Sequence, residues 1–337
     1  VSGRFLAYWE ANGGLEAFGY PLSAPVREQN PDDRRWYEVQ HFERARFELH
    51  PANQPPFDVL LGRLGVDRLA ARGVRWQSLP KTRVTGPGCR RFAETGHQIC
   101  GRIRETWERH GLAIYGLPIS DLLRETSADG EPQIVQYFER ARFELHPANQ
   151  PPFDVLLGQL ERERITGTGP IGRPVPQPPY VFPVQPADRV TYGREHHDYP
   201  ATDMFTPQGS DFVAPTSGVV EFVSREDRWS PQTDRGEDRG GLSVSLVGDD
   251  GIRYYGSHLS AIAAGIEVGA RVEAGQLLGK TGNTGSARPT PPHLHFGISR
   301  PTRADDWAIR RGEINPYPFV KQWQRGMPLR PAVPWLP

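Results

Sequence analysis

The sequence predicts a multidomain protein, with two small α+β repeats followed by a C-terminal domain that is mainly antiparallel β with an open groove. Three observations carry that expectation. The segment FERARFELHPANQPPFDVLLG at 42–62 recurs without change at 138–158, so the first half is one module written twice. Residues 166–183, TGTGPIGRPVPQPPYVFP, are rich in Gly and then Pro and predict extended backbone rather than core. Beyond them come short Val-rich runs separated by glycines, SGVVEFV, GLSVSLV, IRYYGSHL and LHFGIS, the texture of antiparallel strands. The expected boundaries are 1–65 for the first repeat, 66–88 for a connector, 89–165 for the second repeat, 166–185 for a linker and 186–337 for the β domain with its C-terminal extension.

Within the repeat, RFLAYWEANGG reads as a short amphipathic helix stopped by glycine, and Gly-Tyr-Pro or Gly-Leu-Pro reads as a turn. WYEVQHFERARFELHP then alternates apolar and polar residues and predicts paired strands. The likeness between copies extends upstream, where Trp9, Gly14 and Phe18-Gly19-Tyr20-Pro21 correspond to Trp107, Gly111 and Tyr115-Gly116-Leu117-Pro118. Residues 89–100 have no counterpart in the first copy. They carry Cys89 and Cys100, the only cysteines, and a single local disulfide in an exported protein is the expected use of that pair. Glu43, Glu48 and His50, with Glu139, Glu144 and His146, are expected to serve packing and ion pairs. Two identical modules suit a multivalent binding or positioning arm.

In the β domain, the charged stretch 225–241 predicts a long surface loop. DDWAIRRGEINPYPFVKQWQRG predicts a helical or irregular tail packed on the sheet through Trp307, Phe319 and Trp323. Lys+Arg and Asp+Glu balance at 40 each, so no global basic field exists to hold nucleic acid or anionic lipid. No apolar run approaches the roughly 20 residues that span a bilayer. Neither a nucleic-acid partner nor a membrane span is expected.

Five of the ten histidines fall in three clusters of this domain. These are Arg194-Glu195-His196-His197-Asp198-Tyr199-Pro200-Ala201-Thr202-Asp203, Tyr255-Gly256-Ser257-His258-Leu259 and His293-Leu294-His295. Two histidines separated by one residue in a strand project to the same face. A catalytic zinc typically takes three ligands from His, Asp or Glu and keeps a fourth position open, and two His plus one Asp meet that need. Further histidines beside the open position can move a proton or hold a developing oxyanion.

With Ala214-Pro215, Gly218-Val219-Val220, Gly275-Gln276-Leu277-Leu278-Gly279, Thr281-Gly282-Asn283-Thr284-Gly285 and Pro292-His293-Leu294-His295-Phe296 in order, residues 190–300 resemble the lysostaphin-type, LytM-like zinc endopeptidases of bacterial peptidoglycan. The resemblance implies a Zn2+ cofactor, a peptidoglycan stem peptide or cross-bridge as substrate, and a secreted or envelope location. By position it implies His197, Asp203 and His295 as ligands, with His258 and His293 as uncoordinated catalytic histidines. One departure stands out. The family places its first His four residues before the Asp, whereas His197 lies six before Asp203 and His196 seven before. His197 is preferred and His196 is the alternative, because Pro200 can fix a turn in the shorter loop. The N-terminal copies resemble the Leu-Gly-Phe-Pro repeats of cell-wall-associated proteins, which implies a targeting or regulatory role. Two other functions stay open here: a non-catalytic cell-wall binding or regulatory protein with a blocked groove, and a zinc endopeptidase of ordinary protein chains.

Overall fold

The computed structural model describes residues 1–30, 33–83, 85–194, 196–303 and 305–334. Its chain divides into two compact units, Val1–Arg83 with Cys89–Gln177, and Val84–Gly88 with Pro178–Pro337.

In the first unit, helix α1 (Gly3–Ala11) precedes strands β1 (Val26–Gln29), β2 (Trp36–His41), β3 (Arg46–Leu49) and β4 (Val59–Leu61), which pair antiparallel in that order. Helix α2 (Leu64–Ala71) ends the copy. Alternation along β2 and β3 sends Phe47 inward beneath α1. Its ring meets Tyr8 edge-on at 5.2 Å and Phe18 at 4.8 Å, so the core of this copy is an aromatic cluster.

The second copy repeats the plan with α3 (Gly101–Tyr115), β5 (Leu123–Thr126), β6 (Pro132–Tyr137), β7 (Arg142–Leu145), β8 (Val155–Leu157) and α4 (Leu160–Thr166). Ahead of it, Cys89 and Cys100 are joined in a disulfide beside the small hairpin Arg90–Arg91 with Gln98–Ile99.

The copies exchange their terminal helices. On α2, Leu69 is buried with Ile119, Leu123, Val135 and Tyr137 of the second copy, and Gly65 N donates to Glu139 O at 3.1 Å. A Cβ on Gly65 would stand 1.9 Å from Phe138 O, so the approach requires glycine. In return, α4 gives Arg162 N to Glu43 O at 3.2 Å and sets buried Glu161 against His41 Nδ1 at 2.5 Å. Equivalent residues such as Phe18 with Tyr115 and Arg44 with Arg140 face one small cavity from both sides. The arrangement is an internal pseudo-dimer with a self-complementary interface.

Two expected boundaries change accordingly. Residues 66–88 are not a mere connector, since α2 supplies core to the second copy. Residues 166–185 are not a free linker. Extended, Pro-rich backbone is close to strand geometry, and β9 (Ile171–Pro176) joins β5 as an edge strand, the position where a sheet tolerates proline. The rest of the stretch buries Tyr180, Phe182 and Val184 in the second unit.

That second unit is an antiparallel sheet built from β10 (Thr202–Phe205), β11 (Asp211–Val213), β12 (Gly218–Ser224), β13 (Leu242–Gly248), β14 (Arg253–Ile262), β15 (Leu277–Thr281) and β16 (His293–Ser299). The main path runs β11-β15-β14-β13-β12, while β14 also pairs with β16 and β16 with β10. Leu294, Phe296 and Ile298 of β16 enter the core with Phe212, Val244, Leu246 and Tyr254. The period of two therefore puts His293 and His295 on the opposite face. After β16 come α5 (Trp307–Arg310) and α6 (Tyr317–Gln324). From α6, Phe319 and Trp323 pack into the core as expected, with Trp323 stacked on Tyr180 at 5.4 Å. Trp307 is the exception: it stands over the loop at Gly236, where a Cβ would meet its ring at 2.3 Å.

Candidate metal and catalytic centre

The site grows from strand register. Asp203 on β10 stands directly opposite His295 on β16, and Phe205 opposite His293. On the other side of β16, Ser257 of β14 faces His295. Two neighbouring strands thus deliver an acid and two histidines to one face.

His258 enters at a fork. Strand β14 pairs with β16 from Arg253 to Ser257 and with β15 from Leu259 onward. Against β13, the pairs Leu242↔Leu259 and Val244↔Gly256 leave one extra residue on β14, which is a β-bulge. His258 occupies it with φ 64, a left-handed backbone that non-glycine residues adopt at some cost and mostly where structure demands it. Its amide donates to Gly240 O and its Nδ1 to Thr284 O, each at 2.9 Å. The Nε2 lone pair is left facing the cleft. Burial, reinforced by His295 and His293, pushes its pKa down to about 3, so the ring is neutral near pH 7. His293 is tied in the same manner, Nδ1 to Pro291 O at 2.9 Å, and the two rings lie 5.0 Å apart.

The loop before β10 separates the paired histidines. His196, not the preferred His197, reaches the cluster. Its Nε2 is 3.6 Å from Asp203 Oδ2 and its side chain is nearly buried, whereas His197 is 78% exposed and meets Asp198 instead. The reason lies in the turn. Tyr199 folds back over the site, its ring 4.4 Å from His196 and 5.6 Å from His295, so the loop spends its extra residues on that ring. His196, His197 and Asp198 form a second possible group, on the exposed loop.

The donor chemistry fits a divalent cation. His295 Nε2 is 2.9 Å from Arg311 O, a group that only accepts, so Nε2 carries the hydrogen. Nδ1 then faces Asp203 Oδ1 at 2.8 Å. A neutral imidazole and a carboxylate cannot meet lone pair to lone pair; a proton or a metal must lie between them. Burial favours the protonated acid, but His295 together with His196 and His293 outweighs it and holds Asp203 at about 2. Ligand atoms of His196, Asp203 and His295 lie within 4.8 Å of one another, and two imidazoles plus a carboxylate are a three-ligand zinc set with a position open. Among the sequence candidates, Asp203, His258, His293, His295 and the alternative His196 are brought together, and His197 is not.

The centre floors a cleft of about 300 Å³. The stretch expected as a surface loop walls it on one side, from Gly236 to Gly240, and Ser286 to Thr290 stand on the other. They are bound together by Ser286 N donating to Arg239 O at 2.9 Å and by Arg288 with Asp227 at 2.8 Å. A third wall was not anticipated. Trp307, Arg310 and Arg311 close the cleft, with the Arg311 guanidinium over Tyr199 at 3.8 Å and Trp307 at 5.2 Å. Adjacent arginines beside a tryptophan in a short amphipathic stretch were the available signal.

Comparison with known proteins finds similarity to peptidases over part of the chain. Residues 197–309 match the model of peptidase family M23. The chain is 30% identical over 139 residues to the L-Ala--D-Glu endopeptidase of Bacillus subtilis (strain 168), a match covering 40% of this chain and 37% of that protein. It is 39% identical over 83 residues to the glycyl-glycine endopeptidase ALE-1 of Staphylococcus capitis, covering 24% of this chain and 20% of that one. Among solved structures, the catalytic domain of the antimicrobial peptidase lysostaphin from Staphylococcus simulans is 28% identical, with 40% of this chain and 95% of that chain covered and a TM-score of 0.31. The chain therefore spans well under half the length of the curated relatives it matches. The family match takes in Asp203, His258, His293 and His295; it starts one residue after His196 and stops before Arg310.

Proposed function

We propose that this chain is a zinc-dependent endopeptidase that hydrolyses peptide bonds of bacterial peptidoglycan, in a stem peptide or cross-bridge. One observation carries the reading: His196, Asp203 and His295 converge beside His258 and His293 at the floor of a cleft, in and next to a stretch matching peptidase family M23. The peptidoglycan substrate is supported by the two endopeptidase relatives.

His196, Asp203 and His295 would hold the ion. When bound, zinc supplies Lewis-acid polarisation of a carbonyl and a water nucleophile near neutral pH. The remaining work falls to the chain. His258 and His293 each give Nδ1–H to a backbone carbonyl, so each presents Nε2 to the cleft. There one ring takes a proton from the attacking water, and the imidazolium so formed stabilises the oxyanion and then gives that proton to the leaving amine, work that His258 and His293 would share. Arg311 O keeps His295 in the tautomer that leaves Nδ1 for the ion. The walls exclude water and hold the peptide extended.

The proposal extends to a secreted or envelope location, supported by the Cys89–Cys100 disulfide, and to targeting or regulation by the repeat pair. No helix among the described residues is long and apolar enough to cross a membrane. The test is digestion of purified peptidoglycan by zinc-loaded protein with mass analysis of the released muropeptides. New amino termini should appear with the wild type and not with His295→Ala. Intact cross-linked muropeptides from both proteins would overturn the reading.

A further inference from the structure

The third wall of the cleft holds a cation whose flat faces are occupied and whose edge is not. Arg311 lies over Tyr199 at 3.8 Å and over Trp307 at 5.2 Å. Its Nε is buried with no hydrogen-bond partner, and no carboxylate pairs with it among the described residues. The other two cleft arginines are differently placed. Arg239 is engaged by Asp234, and Arg310 is buried over Phe222 at 3.6 Å. The acids lining the cleft are also committed: Asp203 to His295, Asp198 to His196 and His197, and Glu237 to Arg235.

An arginine stacked on aromatics has its orientation fixed in advance, and its edge presents donors that match a carboxylate bidentately. Arg311 is also joined to the candidate ligand cluster by its own backbone, since its carbonyl accepts from His295 Nε2 at 2.9 Å. Whatever its guanidinium grips is therefore held close to the reacting centre. The residue lies beyond the stretch that matches the peptidase family, so this feature belongs to the α5 wall of this chain.

We infer that Arg311 is a specificity-determining residue that binds a carboxylate of the peptide substrate next to the scissile bond. The inference rests on the cleft being a peptide site, as proposed above. The chemistry fits either a branch carboxylate on an acidic residue or a chain-terminal carboxylate.

Calorimetric binding to the His293→Ala protein loaded with zinc separates these sources without depending on turnover. The probes are acetyl-Ala-Glu, its C-terminal amide and acetyl-Ala-Gln. The diacid should bind about 10-fold or more tightly than at least one amide, the scale of a charge-assisted pair, and the amide that loses affinity identifies the carboxylate used. Adding Arg311→Gln should erase the preference, and Arg311→Lys should restore part of it, with zinc content unchanged in both. Equal affinity for all three probes, a preference that survives Arg311→Gln, or no binding of any probe overturns the inference. Peptidoglycan digestion by the wild type is scored separately, so a true peptidase without carboxylate preference is distinguished from a protein that cuts nothing.

Discussion

Asp203 Oδ1 and His295 Nδ1 lie 2.8 Å apart across two paired strands, with the far nitrogen of His295 already spent on Arg311 O. Strand pairing fixes their separation, so the pair is preorganised for a shared cation. His196 arrives from a loop and completes the set.

Metal analysis after dialysis should therefore rank the ligands. Wild type is expected to retain about one zinc per chain. Asp203→Ala, His295→Ala and His196→Ala should weaken retention by more than about 100-fold, since each removes a proposed ligand where even a supporting contact is worth 10- to 100-fold. His197→Ala should retain zinc within about twofold of wild type. The reverse ranking of His196 and His197 would move the metal to the exposed group beside Asp198.

The metal-free protein should lose stability in acid, and His258 should account for part of the loss. Its folded pKa is pushed down to about 3 by burial and by His295 and His293, against about 6.5 when unfolded. Between those values the unfolded chain binds the extra proton, so stability is complete above pH 6.5 and declines as pH falls through the window. Asp203, held at about 2, adds a loss in the same direction below about pH 4. Melting temperature should drop on the order of 5 °C from pH 7 to 4.5 through His258. His258→Asn, which tolerates a positive φ, should flatten that segment; an unchanged slope would refute the assignment.

How far the sequence went follows from what each signal encodes. The unchanged 21-residue segment discloses the duplication, and alternation in β16 puts His293 and His295 on one face from the sequence alone. Helix exchange was illegible because α2 is as amphipathic against its own copy as against the other; only Gly65, with its 1.9 Å approach to Phe138 O, marks the choice. His196 ranked second to His197 because spacing cannot show that Tyr199 packs against His295. Trp307 was assigned to the core on apolarity alone, although its ring packs over Gly236 at the cleft wall.

Gly285 offers a test of the walls. With φ 66 and a Cβ position 2.1 Å from Arg239 O, it allows the two loops to touch. Gly285→Ala should cost roughly 2 kcal/mol or more, from left-handed strain plus the displaced carbonyl. Because Thr284 O holds His258 Nδ1, the same change should lower kcat while zinc content stays at the wild-type level. Loss of zinc together with activity would instead show that the strain spreads to the ligand strands.

The exchanged helices make a prediction about the repeats. Leu69 belongs by sequence to the first copy, yet it is fully buried against Leu123, Val135 and Tyr137 of the second. Leu69→Ala should destabilise the N-terminal unit by about 2–5 kcal/mol, the usual cost of emptying a buried leucine site. Hydrogen exchange identifies where the cost falls. Amides of β5 and β6 should lose protection at least as much as those of β3, because the cavity opens under the second sheet. Protection lost only around β1 to β4 would mean that α2 packs on its own copy in solution and that the pseudo-dimer does not form.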